Sequence, residues 1–160
     1  MNTPWSQFYK EKVKKIFAES KTIIDIGGGL RIVKEKNNRY EPGNEWIRPL
    51  LDTVSYKIMD PVKDYNPDVV GDIHHMPFKD NSLDAIICLA VLEHVQDPIR
   101  AMEEVHRTLK PGGHAFIYVP FLYYYHAEKG YYADYWRFTK DSVALLSRPF
   151  AHKEFQSVRG

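Results

Sequence analysis

Residues 22–29, TIIDIGGG, constrain this chain more than any other stretch. Three apolar β-formers, Ile23, Ile24 and Ile26, surround an acid, Asp25, and run straight into Gly27, Gly28 and Gly29. A buried strand that ends in glycines bares its backbone to close approach by a ligand. Open α/β sheets bind ligands beyond the carboxyl ends of their strands. The segment therefore predicts a nucleotide-like cofactor, with the Asp25 carboxylate available to a cationic or hydroxylic part of it. Spacing narrows the choice. Read from Gly27, the third glycine of a dinucleotide fingerprint falls on Ile32; read from Gly28, the second falls on Leu30. A nicotinamide-dependent oxidoreductase is disfavoured on that ground. No Gly-Lys-Ser/Thr follows, so the segment is not a phosphate loop.

The rest of the chain alternates in the same style. Trp5, Phe8, Tyr9, Val13, Ile16 and Phe17 recur at steps of three and four, predicting an N-terminal helix within residues 1–20. Strand 21–26 leads into an irregular stretch over 30–53, in which 44–52 has a helical pattern. Strands follow at 54–59, ending at Asp60, and at 68–71, ending at Asp72. The run LDAIICLA, 83–90, has no polar alternation and suits a strand buried on both faces. Asp97-Pro98 starts a helix with Ile99, Met102, Val105 and Leu109 on its apolar side, and Lys110-Pro111-Gly112-Gly113 stops it. Strand 115–121, a helix from Thr139 to 146 and a last strand at 152–158 complete the pattern. Strands alternating with helices predict a Rossmann-like, mostly parallel sheet covered on both faces, in a single domain over 1–160.

Bulk numbers set limits on partners. Lys plus Arg is 22 against 21 Asp plus Glu, a net charge of +1, which points to no nucleic-acid backbone. The lone cysteine, Cys88, lies in an apolar run; it permits no internal disulfide and fits a cytoplasmic, inert core thiol. No stretch reaches the ~18–20 apolar residues of a membrane helix, and no signal-peptide core is present.

Asp25, Gly27 and Gly29 make Asp-x-Gly-x-Gly, which resembles motif I of class I S-adenosylmethionine-dependent methyltransferases, with Arg31 at the place of the usual third glycine. Other strand ends suit the same cofactor. Asp60 stands where an acid holds a ribose diol. Asp72 is placed for the adenine amino group, and Ile73 for the ring. Leu89 and Ala90 end the fourth strand, where the sulfonium would lie. The run from Gly71 to Pro120 is similar to the type-11 group: Asp72 before Pro77-Phe78, Asp80 and Ser82-Leu83-Asp84, then Leu92-Glu93-His94, then Arg107 to Gly113. DYWRFT, 134–139, resembles a segment of bacterial members, some associated with polysaccharide synthesis. The resemblance covers about 20–147 and implies S-adenosylmethionine binding and methyl transfer. The alternative is a protein that binds this cofactor, or S-adenosylhomocysteine, without catalysis.

The resemblance does not name the acceptor. Residues 121–138 follow the fifth strand and hold six tyrosines, which suit a flat or sugar-like molecule, so a small-molecule or saccharide acceptor is expected on this side. His94 and His126 are the candidate general bases. His74, His75 and His126 lack metal-site spacing, and no metal is expected. The full fold of the family has seven strands. This chain has pattern for six, so a shortened C-terminal end and an unpaired sheet edge open to self-association are expected.

Overall fold

The computed structural model describes residues 3–33 and 40–158. Helix α1, Pro4–Glu19, begins where Thr3 and Ser6 exchange capping hydrogen bonds and Pro4 occupies the first turn. Val13, Ile16 and Phe17 are buried. Trp5, Phe8 and Tyr9 all reach Phe116, with ring centroids 6.4, 6.3 and 6.0 Å away. The aromatic stripe is thus a packing face.

Five parallel strands form one sheet: β1 (Thr22–Ile26), β2 (Ser55–Asp60), β3 (Val69–Val70), β4 (Leu83–Leu89) and β5 (Leu109–Tyr118). Their order is β3-β2-β1-β4-β5, which places β1 at the centre. Helices α2 (Pro98–Thr108) and α3 (Lys140–Leu146) complete the regular elements. The two core clusters lie on opposite faces. Ile24, Ile26, Ile86 and Cys88 pack with Met102, Val105 and Leu146 of α2 and α3. Ile23, Ala85 and Ile87 pack with α1 and Ile47. Adjacent residues of β1 and β4 therefore serve opposite cores, which is why neither strand has polar alternation. Cys88 is fully buried, and that burial pushes its thiol pKa up.

Several expectations are corrected. Pro42–Thr53 is a 3-10 helical stretch containing Pro49, which has no N–H to give an α-helix. Residues 34–39, inside the irregular stretch expected at 30–53, lie outside the described residues. Strand β5 starts at Leu109, because Leu109 already pairs with Leu83; Lys110–Gly113 falls in the register shift before His114 pairs with Ala85. Ile99 is 50% exposed, since it precedes the stripe that Ala101, Met102 and Val105 bury. Residues 152–158 form no strand. Phe155 and Val158 are exposed, so the alternation there has no core to face. No helix among the described residues is long and apolar enough to cross a membrane.

Asp84 pins the opening of β1. One oxygen accepts from the Lys21 N–H, the Thr22 N–H and the Thr22 hydroxyl at 2.9–3.0 Å, and the other from Lys110 Nζ at 2.6 Å. The Lys110 ammonium holds this carboxyl well below its usual range, against some desolvation. Asp84→Ala is expected to cost about 1–2 kcal/mol at pH 7 in urea unfolding. Because the folded pKa is depressed, that contribution is complete above the ordinary carboxylate range and is lost as pH falls below it. The difference between wild type and variant should therefore shrink below about pH 4; a constant difference down to pH 2 would argue against the ion pair.

Candidate functional site

The glycine loop sits at the carboxyl end of the central strand, and its shape is set from beneath. Asp25 is fully buried. Its Oδ1 accepts from the Gly29 N–H and its Oδ2 from the Leu30 N–H, each at 2.9 Å, and from the Tyr56 hydroxyl at 2.5 Å. Burial raises its pKa to about 6, against these three bonds, which lower it. The expectation that Asp25 presents its carboxylate to a ligand is thus corrected: its oxygens are turned inward and hold the loop.

Above it the backbone is pressed close to the next strand end. Gly27 has φ +73°, and a Cβ there would stand 2.7 Å from Val91 Cγ2. A Cβ on Gly29 would meet Leu89 Cβ at 2.7 Å and its carbonyl oxygen at 3.0 Å. At Gly29 only glycine fits without movement of β4, and at Gly27 a Cβ would displace the Val91 side chain from a position that already has positive φ. Arg31 takes the left-handed conformation itself, at φ +53°. It occupies the backbone state that a third glycine would adopt freely. Arg31→Gly should therefore stabilise the fold, by about 0.5–1 kcal/mol after glycine's own entropic cost. An unchanged or lower urea midpoint would mean that the Arg31 side chain contributes more than the strain it imposes.

A cleft opens on this loop. It is lined by Gly27, Gly28, Arg31, Ile58, Asp60 and Tyr65. Asp60 is 5% exposed, and its Oδ1 accepts from the Val62 N–H at 2.8 Å. The sequence reading missed Tyr65, whose signal was the turn Tyr65-Asn66-Pro67, in which Asn66 is left-handed at φ +49°. The remaining candidates are not among the residues that line the cleft. Asp72 is exposed and bonded through Oδ1 to the His74 N–H at 2.8 Å and His74 Nδ1 at 2.6 Å. Ile73 is 5% exposed and packs in the core. Leu89 packs on Gly29, and the exposed Ala90, at φ +54°, donates its N–H to Tyr118.

The turn after β4 and the segment 121–138 are built together. Glu93's carbonyl accepts from the Tyr135 and Trp136 N–H groups at 2.7 and 3.2 Å, and Trp136 Nε1 donates to Val95 at 2.8 Å. Asp134, 1% exposed, is paired with Arg137 at 2.6 and 2.8 Å and accepts from the His126 N–H at 2.8 Å. At the far end Tyr131 stacks on Tyr65, centroids 5.4 Å apart. The segment therefore spans from the β4 turn to the cleft. Rings near its start face outward, with Phe121 58% exposed, Tyr124 70% and Tyr125 75%, whereas Phe138 at its end is buried in the core.

His94 and His126, 32 residues apart in sequence, meet beside Glu93 with ring centroids 4.7 Å apart. Burial lowers the His94 pKa most, and burial raises that of Glu93. The motif residues around them are scaffold. Glu104, 3% exposed, accepts from Met76 N–H and from Arg107, while Arg107 also donates to Asp80 and to the Phe78 carbonyl.

The chain matches the family described as methyltransferase domain over residues 50–117. It is 26% identical over 134 residues to a protein named tRNA U34 carboxymethyltransferase from Nautilia profundicola, covering 73% of this chain and 41% of that one. It is 31% identical over 115 residues to a probable tRNA methyltransferase 9B from Homo sapiens, covering 68% of this chain and 24% of that one. The chain thus spans less than half the length of these two relatives. Among solved structures, a SAM-dependent methyltransferase from Aquifex aeolicus shares the fold, with a TM-score of 0.53, 18% identity and coverage of 86% of this chain and 76% of that one. The tRNA names of these relatives overturn the expectation that no nucleic acid is indicated as a partner. A net charge of +1 sums over the whole chain, and stacking of bases on exposed aromatic rings needs no excess of cations.

Proposed function

We propose that this chain, which belongs to the type-11 group of class I methyltransferase domains, binds S-adenosylmethionine over the glycine loop and directs its methyl group to an RNA base. The observation that carries the reading is the single cleft formed by Gly27, Gly28 and Asp60 at the carboxyl ends of β1 and β2. The residues fit the cofactor: the loop has no side chain to fill the cradle, and a Cβ on Gly27 would clash. When bound, the cofactor supplies a methyl carbon already activated by its sulfonium. The protein's part is position. Asp60 suits a ribose diol, Ile58 gives the cleft an apolar wall, and Tyr65 carries the link to the aromatic segment. Tyr124 and Tyr125 offer faces on which unstacked bases can lie, a contact worth about 1–3 kcal/mol per base. The tRNA names of two relatives support RNA as the acceptor class.

Calorimetric titration with S-adenosylhomocysteine, with NAD as control, tests the cofactor. Asp60→Ala is expected to weaken S-adenosylhomocysteine by roughly 10–100-fold, the loss of about 1–3 kcal/mol. An unchanged affinity would remove Asp60 from the site. Transfer of labelled methyl from the cofactor to bulk tRNA, followed by nucleoside digestion, tests the acceptor. Cofactor binding without label in any nucleoside would favour the non-catalytic reading.

A further inference from the structure

The geometry points to a binding site for one divalent late first-row metal ion, Zn²⁺ by preference, held by Glu93, His94 and His126. One carboxylate oxygen and two imidazole nitrogens from these residues lie within 4.8 Å of one another. Each histidine Nε2 is 3.9 Å from Glu93 Oε1.

The tautomers follow from the partners. His94 Nδ1 is 2.6 Å from the Ala133 carbonyl oxygen, and His126 Nδ1 is 3.0 Å from that of Tyr124. A carbonyl can only accept, so both Nδ1 atoms carry hydrogen. Both Nε2 atoms of the neutral rings then present lone pairs towards the carboxylate. Metal-bound histidines are commonly oriented by such an Nδ1–H bond to a carbonyl. Asp134 Oδ2, 3.2 Å from His126 Nδ1, adds a carboxylate behind that ring.

Glu93 supplies a second and independent sign. Its side chain is 1% exposed, and its Oε2 has no hydrogen-bond partner among the described residues. A buried, unpartnered carboxylate oxygen costs stability unless a cation or donor meets it. An ion about 2.1 Å from each donor requires the two Nε2–Oε1 distances to close by roughly half an ångström, and the two Nε2 atoms to approach by up to about 1.4 Å. Ring rotation at partly exposed His94 and His126 permits that, their side chains being 14% and 22% exposed.

The donor set chooses the metal. Two imidazoles and one carboxylate suit Zn²⁺ and its neighbours, whereas Mg²⁺ and Ca²⁺ prefer oxygen donors alone. Three protein ligands leave a coordination position open towards solvent. The ion would also pin the 121–138 segment to the β4 turn, since His126 belongs to one and Glu93 and His94 to the other. An ion bound there occupies both Nε2 lone pairs, so neither histidine can act as a base while it is present.

The test needs neither S-adenosylmethionine nor RNA, so its failure is separable from that of the proposed function. Chelator-stripped protein is titrated with ZnCl₂ by calorimetry, and with CoCl₂ while following visible absorbance. One Zn²⁺ per chain and cobalt ligand-field bands are expected, with MgCl₂ giving neither. His126→Ala and Glu93→Gln should each weaken Zn²⁺ by at least about 100-fold, beyond the loss seen for supporting residues. Thermal melts check folding, and if His126→Ala is unfolded, His94→Ala is read in its place. No Zn²⁺ heat, or Zn²⁺ binding unaffected by these changes and lost in a His74→Ala, His75→Ala variant, would overturn the site.

Discussion

Asp25→Ala is expected to cost about 3 kcal/mol of stability and to abolish cofactor binding, although its carboxylate is turned into the loop. Its removal strands three donors: the Gly29 and Leu30 N–H groups and the Tyr56 hydroxyl. A buried donor left without its partner costs about 1–3 kcal/mol. Relief of burying a charge offsets part of that sum. The loop above then loses the strut that holds Gly29 against Leu89, and the cradle goes with it. The pH dependence has an unusual sign for a carboxylate. Burial lifts the Asp25 pKa from 3.8 to about 6, so between these values the folded state holds a proton that the unfolded chain has released. Stability from Asp25 is therefore largest below about pH 4 and declines as pH rises through about 6. Urea unfolding of wild type and Asp25→Ala across pH 4–7 should give a difference that narrows with rising pH. A flat difference would mean that the carboxylate is charged over the whole range.

Asp25 also shows where sequence reading works and where it stops. The strand, the glycines and the acid were legible because burial on two faces and a stripped backbone leave marks in composition and order. The direction of the Asp25 side chain was not, since an acid at a strand end can face a ligand or its own loop, and Tyr56 is 31 residues away. Arg31 was legible as a departure, but only φ +53° shows that the loop keeps its shape around it. The strand expected at 152–158 failed because alternation says nothing about whether a face exists to receive it. Self-association through an unpaired edge likewise rested on that incomplete sheet. Glu93, His94 and His126 were individually visible, but spacing rules detect ligands on one element. These come from two segments joined by Tyr135, Trp136 and Ala133 backbone contacts. Net charge misled for a related reason, being blind to where rings and charges are displayed.

The segment that carries those rings should depend on one buried carboxylate. Asp134→Ala is expected to release residues 121–138 from the body of the domain while leaving the sheet folded. Asp134 is 1% exposed and accepts two bonds from Arg137 and one from the His126 N–H. Arg137 in turn donates to the carbonyls of Tyr123 and Tyr124, so the pair fixes both ends of the aromatic run. Hydrogen bonds to charged groups contribute about 1.5–3 kcal/mol each, and breaking a buried ion pair exceeds the loss of a single one. A loss of about 3 kcal/mol confined to this segment raises its local opening roughly 100-fold. Hydrogen exchange at the His126 amide should accelerate by about that factor, while amides of β1 and β4 hold their rates. Asp134→Asn keeps an acceptor for the His126 N–H but loses the charge, and should fall between the two. S-adenosylhomocysteine affinity should change little, because the cleft is built on β1 and β2, whereas RNA-dependent transfer should fall with the order of the segment. Acceleration spread evenly over β1 and β4 would instead mean that residues 121–138 support the core itself, and that the rings of Tyr123, Tyr124 and Tyr125 are held by the whole fold rather than by Asp134.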